Sequence, residues 1–333
     1  MDTAIVILNY NGISWLKKFL PTVIKYSKDE ADVYVIDNGS SDDSVDYLKK
    51  EHPSIKLITL DNNLGFAGGY NKGLQQIEHP YYVLLNSDIE VTKNWITPII
   101  NTFKEQPEIT AIQPKILSFQ NKKQFEYAGA AGGLMDKLKY PFCRGRVFDH
   151  TETDHQQFEE KAEIFWASGA CLFIRSKDFH ENNGFDTDFF AHMEEIDLCW
   201  RIKNNGGKIL YHPESKVYHV GGGTLKYNSS QKTFLNFRNS LFMIHKNMDT
   251  QLFSSIFKRL LLDGVAGLHF LTKGQFKHLY SIVKAHYAYF YSIGKLNKKR
   301  KLLKHSSYKE HIGVIDISIV WEYFIKKNKN IHF

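Results

Sequence analysis

Cysteine is scarce in this chain: Cys143, Cys171 and Cys199 are the only three among 333 residues. Three scattered thiols cannot build a disulfide framework, and none has the close spacing of a zinc module. Reduced core thiols are expected. Long apolar runs are missing as well. No stretch of roughly 18 uncharged apolar residues occurs, so no membrane-spanning helix is expected. Met1-Asp2-Thr3 leads straight into an apolar strand, not into an apolar run behind a basic start, so no secretory signal is expected either. These absences point to a cytoplasmic protein. Internal repeats and low-complexity tracts are also absent.

The length suits one large α/β domain with an appendage, or two domains, and 43% hydrophobic residues can fill a sizeable core. The net charge of +7 hides an asymmetry. Residues 1–225 carry 24 Lys and Arg against 31 Asp and Glu, whereas residues 226–333 carry 19 against 5. A mildly acidic body is therefore followed by a strongly basic region, which suggests a segment facing something anionic, membrane headgroups first.

Short apolar runs alternate with amphipathic stretches over the first hundred residues, the pattern of βαβ units and a parallel sheet. Strands are predicted at Ala4–Leu8, Val33–Ile36, Ile55–Leu60 and Tyr81–Leu85, with helices near Ser14–Ser27, Ser41–Glu51, Gly69–Ile77 and Asn94–Lys104. Between Thr110 and Tyr218, strand-like pieces (Ala111–Leu117, Gly169–Ile174, Lys208–Tyr211, Lys216–His219) mix with glycine-rich turns and one strong helix, Met193–Asn205. From Lys232 onward the pattern is helical.

Asp88 stands at the exit of the apolar run Tyr81-Tyr82-Val83-Leu84-Leu85-Asn86-Ser87-Asp88. Ligands of open α/β sheets collect outside the carboxyl ends of the strands. A hard cation is commonly held there by one or two carboxylates and substrate phosphate oxygens. Asn9-Tyr10-Asn11-Gly12 and Asp37-Asn38-Gly39-Ser40-Ser41-Asp42 follow two other strands and would face the same crevice. Asp37 could accept a hydrogen bond from a pyrimidine N–H, and Tyr10 could stack on a base; alternatively Asp37 only caps the next helix and closes a turn. The third crossing, Asn62 to Gly73, is a glycine-rich start to a helix whose free N–H groups suit an anion. It does not fit the G-x-G-x-x-G spacing and lacks the P-loop Lys-Ser/Thr, which excludes both of those nucleotide motifs.

Four such features on one sheet edge define a resemblance. The succession Ile7 to Gly12, Val35 to Asp42, Asn63-Leu64-Gly65-Phe66-Ala67-Gly68-Gly69-Tyr70-Asn71 and Leu84-Leu85-Asn86-Ser87-Asp88 resembles the family 2 glycosyltransferases of the GT-A fold, most closely the rhamnosyltransferase-like branch. The resemblance covers about residues 3–225. It implies a Rossmann-like mixed sheet flanked by helices over residues 1–225, with a C-terminal helical extension at 226–333. Residues 1–110 would bind the nucleotide sugar and 111–225 the acceptor. The donor site would draw on Asn9, Tyr10, Asp37, Asn63, Gly65, Asn71, Ser87 and Asp88. Asp88 answers to the DxD-type metal and diphosphate site, with Asn86 where many members carry the first Asp. Tyr70 stands where other branches place an arginine near the phosphates.

Gly184-Phe185-Asp186 leads into Met193-Glu194-Glu195-Ile196-Asp197, which looks like the family's acidic motif at the acceptor site. The position matching the catalytic base is Glu195, with Glu194 and Asp197 as alternatives. His219, before Gly221-Gly222-Gly223, matches a histidine that is a metal ligand in some members, and the glycines would let that loop order on donor binding. The implied activity is an inverting transfer that depends on Mg2+ or Mn2+ bound at Asp88 and His219. A sugar from a UDP- or dTDP-sugar, dTDP-rhamnose among them, would pass to a glycan or lipid-linked hydroxyl in surface polysaccharide biosynthesis. The basic tail would sit on the inner face of the plasma membrane, or its helices would simply pack on the catalytic domain. Two rivals belong to other classes. A sugar nucleotidyltransferase needs a basic glycine-rich loop after the first strand, and Asn9–Gly12 has no basic residue. A non-catalytic nucleotide-sugar or glycan binding protein needs no base. Nucleic acid is not expected as a partner, because the tail holds no recognisable module.

Overall fold

The computed structural model describes residues 1–221 and 229–331. Gly222 and Gly223 of the expected flexible segment lie outside the described residues. The first hundred residues form four parallel strands, β1 (Thr3–Asn9), β2 (Asp32–Asn38), β3 (Lys56–Leu60) and β4 (Tyr81–Asn86). Helices α1 (Ile13–Ser27), α2 (Ser44–Glu51) and α3 (Gly65–Leu74) connect them. Ala4 and Val6 of β1 enter the core on one face, and Ile5 and Ile7 enter the core on the other. Burial on both faces is why these strands read as unbroken apolar runs.

The expected starts of α2 and α3 shift. Ser41 and Asp42 precede α2, because Asn11 Oδ1 accepts the Ser41 N–H at 2.7 Å and Asp42 Oδ2 accepts the Ile13 N–H at 3.1 Å. Asp42 thus serves both helix starts, since its Oδ1 also accepts the N–H of Ser44, the first residue of α2, at 3.1 Å. Helix α3 begins at Gly65, four residues early, since its glycines pack against the sheet: a Cβ on Gly73 would come within 2.1 Å of Ile36 Cδ1.

Beyond β4 run β5 (Ile89–Val91), α4 (Thr97–Glu105) and β6 (Ile109–Ser118). A small sheet follows, made of β7 (Gly133–Asp136), β8 (Pro141–Cys143), β9 (Arg146–Val147) and β10 (His150–Thr151). After β11 (Ala162–Glu163), strand β12 (Cys171–Arg175) returns to the main sheet, running antiparallel between β4 and β6. Helices α5 (Ser176–Glu181) and α6 (Glu194–Asn204) lead into β13 (Lys208–His219). The main sheet has the order β11-β13-β6-β12-β4-β1-β2-β3, with β5 paired to β13. Two strand pieces were expected where β13 is one; it continues through an irregularity between His212 and Lys216.

The basic C-terminal region is helical, as α7 (Ser230–Asn247), α8 (Leu252–Thr272) and α9 (Phe276–Leu302). It is built onto the body. Helix α7 is buried from Asn239 to Asn247, and β14 (Val314–Ile315) adds a parallel strand to β7. Tyr308 Oη donates to the Asp136 carbonyl at 2.6 Å. Some of the tail's positive charge is used inside: Lys246 and Lys299 both pair with Asp186. All three cysteines are buried, and burial raises their thiol pKa values.

Candidate active site

The carboxyl ends of β1, β2 and β4 meet at one edge. Asn9, the last residue of β1, donates from Nδ2 to Asp37 Oδ1 at 3.0 Å, while Asp37 Oδ2 accepts the Ser40 N–H at 3.0 Å. Both side chains are buried, and Asn9 Oδ1 has no partner, although a buried amide oxygen ordinarily finds one. Gly12 keeps that corner open, since a Cβ there would lie 2.5 Å from Asn9 Oδ1. Tyr10, 47% exposed, stands at the rim beside it. The corner therefore offers an amide oxygen and a free aromatic face.

The glycine-rich start of α3 does not offer the expected free amides. Asn38 Oδ1 takes the Leu64 N–H at 3.0 Å, Asn63 Oδ1 takes the Gly65 N–H at 2.9 Å, and the Phe190 carbonyl takes the Phe66 N–H at 2.9 Å. Gly65 sits at φ +73° with Phe190 pressed against it, so only glycine fits. Asn71 is also engaged: its amide exchanges bonds with the Phe185 N–H and carbonyl at 2.9 and 2.7 Å. Tyr70 is fully buried and shares its hydroxyl between the Val6 and Leu85 carbonyls, inside the core.

After β4 the chain turns at Ser87-Asp88 into β5, whose Ile89 is in register with His219 of β13. That pairing sets His219 Nε2 3.1 Å from Asp88 Oδ1, with Asn86 Nδ2 3.5 Å away. On its other side, His219 Nδ1 lies 3.0 Å from Glu126 Oε2. Burial opposes a charge on this ring, but Glu126 and Asp88 outweigh it and push the His219 pKa up to about 10. Burial likewise works against an ionised Asp88, yet the His219 hydrogen bond holds its pKa below the ordinary value. An imidazolium between two carboxylates results.

Beside β4, the segment before β12 brings in the acidic motif. The Asn86 N–H donates to the Ala170 carbonyl at 2.9 Å, and a Cβ on neighbouring Gly169 would sit 3.6 Å from the Glu195 Cβ. Glu195 thus shares the wall that ends in Asp88. Its Oε2 and that of Glu194 are buried without partners. Burial raises the Glu195 pKa to about 7, against the pull of backbone amides at the α6 start. Burial and the neighbouring Glu195 push Glu194 well above the carboxylate range. One neutral carboxyl therefore stands beside one that titrates near neutrality.

The profile of glycosyl transferase family 2 matches residues 4–182. The chain belongs to this family. It is a glycosyltransferase of GT-A fold that uses nucleotide sugars. It is 22% identical over 231 residues to the N-acetylglucosaminyl-diphospho-decaprenol L-rhamnosyltransferase of Mycobacterium tuberculosis, covering 65% of this chain and 75% of that one. In fold it is similar to GalNAc-T7, solved with UDP, GalNAc and Mn2+ (TM-score 0.57, 19% identity, 75% of this chain); the chain spans 48%, about half, of that protein. It is likewise similar to the mannosyltransferase PcManGT of Pyrobaculum calidifontis, solved with GDP-Man and Mn2+, at a TM-score of 0.54 and 13% identity over 87% of each chain.

Asp197 drops out as an alternative base in this glycosyltransferase. It is fully buried and accepts from Arg201 Nε at 2.9 Å, Lys246 Nζ at 2.9 Å and Asn247 Nδ2 at 2.7 Å. No oxygen is left for a hydroxyl. The spacing within α6 could not separate the face carrying Asp197 from the one carrying Glu194.

Several residues that shape the candidate site were not legible in the sequence. Glu126 lies in an irregular stretch with no periodic signal. The loop before α6 has Phe190, His192 and Met193 all at positive φ, between 63 and 71°, a conformation that costs of order 1–3 kcal/mol per residue. Helix α7 holds it there. Asn239 Nδ2 converges on the carbonyls of Phe189, Ala191 and His192 at 2.7–3.0 Å, and Arg238 reaches those of Asp188 and Phe189 at 2.9 and 3.1 Å.

Proposed function

We propose that the protein is an inverting, metal-dependent glycosyltransferase that moves a sugar from a UDP- or dTDP-sugar, dTDP-rhamnose among them, to a hydroxyl of a glycan or lipid-linked acceptor. The observation that carries this reading is Glu195, a carboxyl with one unpartnered oxygen and a pKa raised to about 7, on the wall that ends in Asp88. A base tuned close to working pH suits the removal of a hydroxyl proton. Glu195 takes the acceptor proton while the oxygen attacks the anomeric carbon. The bond to the nucleoside diphosphate breaks on the opposite face, and its electron pair leaves with the phosphate oxygen. One displacement inverts the centre.

Asn9, Tyr10 and Asp37 form the base corner in this reading, and Ser87 and Asp88 meet the diphosphate. Asn63, Gly65 and Asn71 shape that side of the pocket by holding the α3 start and Phe185. Asp88 and His219 would hold Mg2+ or Mn2+; a carboxylate and an imidazole suit such an ion, and substrate oxygens would complete the set. The ion would supply positive charge against the leaving diphosphate. His219 must then give up its proton, which Glu126 can accommodate as the partner of the other ring nitrogen. Residues 1–110 serve the donor, 111–225 the acceptor, and 226–333 hold the acceptor loop. Surface polysaccharide assembly in the cytoplasm, at the inner face of the plasma membrane, fits these roles.

The test is a panel of nucleotide sugars with Mg2+ or Mn2+ and candidate acceptors, read as nucleoside diphosphate release. Release with a UDP- or dTDP-sugar is expected. Tight donor binding without release from any of them would favour a non-catalytic binding protein instead.

A further inference from the structure

Helices α8 and α9 form a hairpin that turns at Lys273, Gly274 and Gln275. One face of each helix packs on the body through residues such as Ile256, Ile282, Ala285 and Tyr289. The opposite faces are apolar and uncovered. On α8, Phe253, Phe257, Leu261, Val265 and Leu268 follow at steps of three and four residues, each more than half exposed. On α9, Phe276, Tyr280, Val283, Tyr287 and Phe290 repeat the pattern with similar exposure. Such steps put each set on a single stripe. None of the described residues covers either stripe.

The charges around the stripes have one sign. Between Leu252 and Leu302 the sole carboxylate is Asp263, buried against Arg259 and His286. Every exposed charge on the hairpin is therefore positive, with Lys277 and Lys284 bordering the α9 stripe. We propose that this hairpin is an in-plane membrane anchor, docking on a bilayer face that carries anionic headgroups. Its apolar stripes enter the boundary between headgroups and acyl chains, Tyr280 and Tyr287 sit at the interface, and the lysines meet lipid phosphates. A second copy of the chain would instead set lysine against lysine with no carboxylate between them. Among the described residues no helix is long and apolar enough to cross a membrane, so the hairpin lies on the bilayer.

The anchor also connects to the acceptor loop. Helix α7, whose Asn239 and Arg238 hold that loop, is joined to α9 by the Thr233–His278 and His245–Tyr289 hydrogen bonds at 2.8 and 2.9 Å. An open cleft lined by Phe234, Lys277, Tyr280 and Lys284 lies at the α7–α9 seam. A lipid-linked acceptor would be met on that side; this point alone rests on the glycosyl-transfer reading.

Co-sedimentation of the full chain with phosphatidylcholine vesicles, with and without phosphatidylglycerol, tests the anchor. Binding to the anionic vesicles is expected to be tighter by about tenfold or more. The double variant Phe257→Ser, Val265→Ser should lose about tenfold or more of it, with melting temperature and nucleoside diphosphate release from soluble substrates unchanged. Lys277→Glu with Lys284→Glu should remove the preference for anionic lipid. Three results would overturn the proposal: no vesicle binding by the parent chain, equal binding by the apolar double variant, or a parent dimer that this variant converts to monomer. Vesicle binding is read without substrate, so it decides on the anchor whatever the transfer assay returns.

Discussion

Glu195→Gln separates the chemistry of the site from its stability. A rise in pKa from 4.5 to about 7 means that the folded chain keeps a proton which the unfolded chain has released in that window. Stability therefore falls as pH rises from about 4.5 to 7, and the loss is complete above it. The shift corresponds to about 3 kcal/mol. Glutamine keeps the shape, carries no titrating group and escapes this penalty. A chain of this size unfolds with an entropy of about 0.7 kcal/mol/K, so the variant should melt about 4 °C higher than the parent at pH 8. Near pH 4.5 the two should coincide. Turnover should fall about 10²–10⁴-fold, the usual contribution of a positioned base, with donor affinity retained. Parent turnover should rise with pH through about 7 as Glu195 loses its proton. Calorimetric melts from pH 4.5 to 8 and initial rates measure both arms. A melting difference that stays flat with pH would refute the desolvated carboxylate, and retained turnover would refute its role as base.

Asp88→Ala should abolish Mn2+-dependent donor binding by titration calorimetry; binding that still responds to Mn2+ would move the metal elsewhere. Glu126→Gln should weaken Mn2+ binding about 10–100-fold, the usual range for a group that orients a ligating histidine. Electron paramagnetic resonance of free Mn2+ checks this directly, and an unchanged affinity would remove Glu126 from the site. Asn239→Ala takes the donor from the Ala191 and His192 carbonyls, while Phe189 keeps Arg238, and should cost about 1–3 kcal/mol in urea unfolding. It should also lower kcat more than it raises KM for the donor, since the loop it holds leads directly into Glu195 at the start of α6; equal kcat in parent and variant would cut that link.

The sheet edge that gathers Asn9, Asp37 and Asp88 was legible because each feature is local. A strand buried on both faces is written as an apolar run, and the polar residue that ends it must reach the sheet edge, which finds Asn9, Asp37 and Asp88 from sequence. Glycines were misread in one place for a physical reason. Gly69 and Gly73 lie within α3 because a side chain there would strike Leu8 or Ile36, so they mark close packing of helix on sheet and not a phosphate loop. The acidic motif was located, but its assignment needed the tertiary partners. Asp197 and Glu195 are two residues apart, and only Lys246 and Asn247, some fifty residues on, decide which of them is silenced. Glu126 meets His219 across 93 positions through strand pairing, a distance no local pattern spans.

The clamp of α7 on the loop before α6 sets the unit that can be moved between relatives. The family profile ends at 182, before the loop that leads into Glu195, and the residues holding that loop in its strained shape lie beyond 230. A chimera joined at 225 would pair one parent's loop and Glu195 with another parent's α7, whereas one joined at 182 keeps the loop, α6 and α7 together. Moving that loop between relatives therefore means transplanting it with α6 and α7, and the replaced piece must still meet Gly65 and Asn71 through its Phe190 and Phe185.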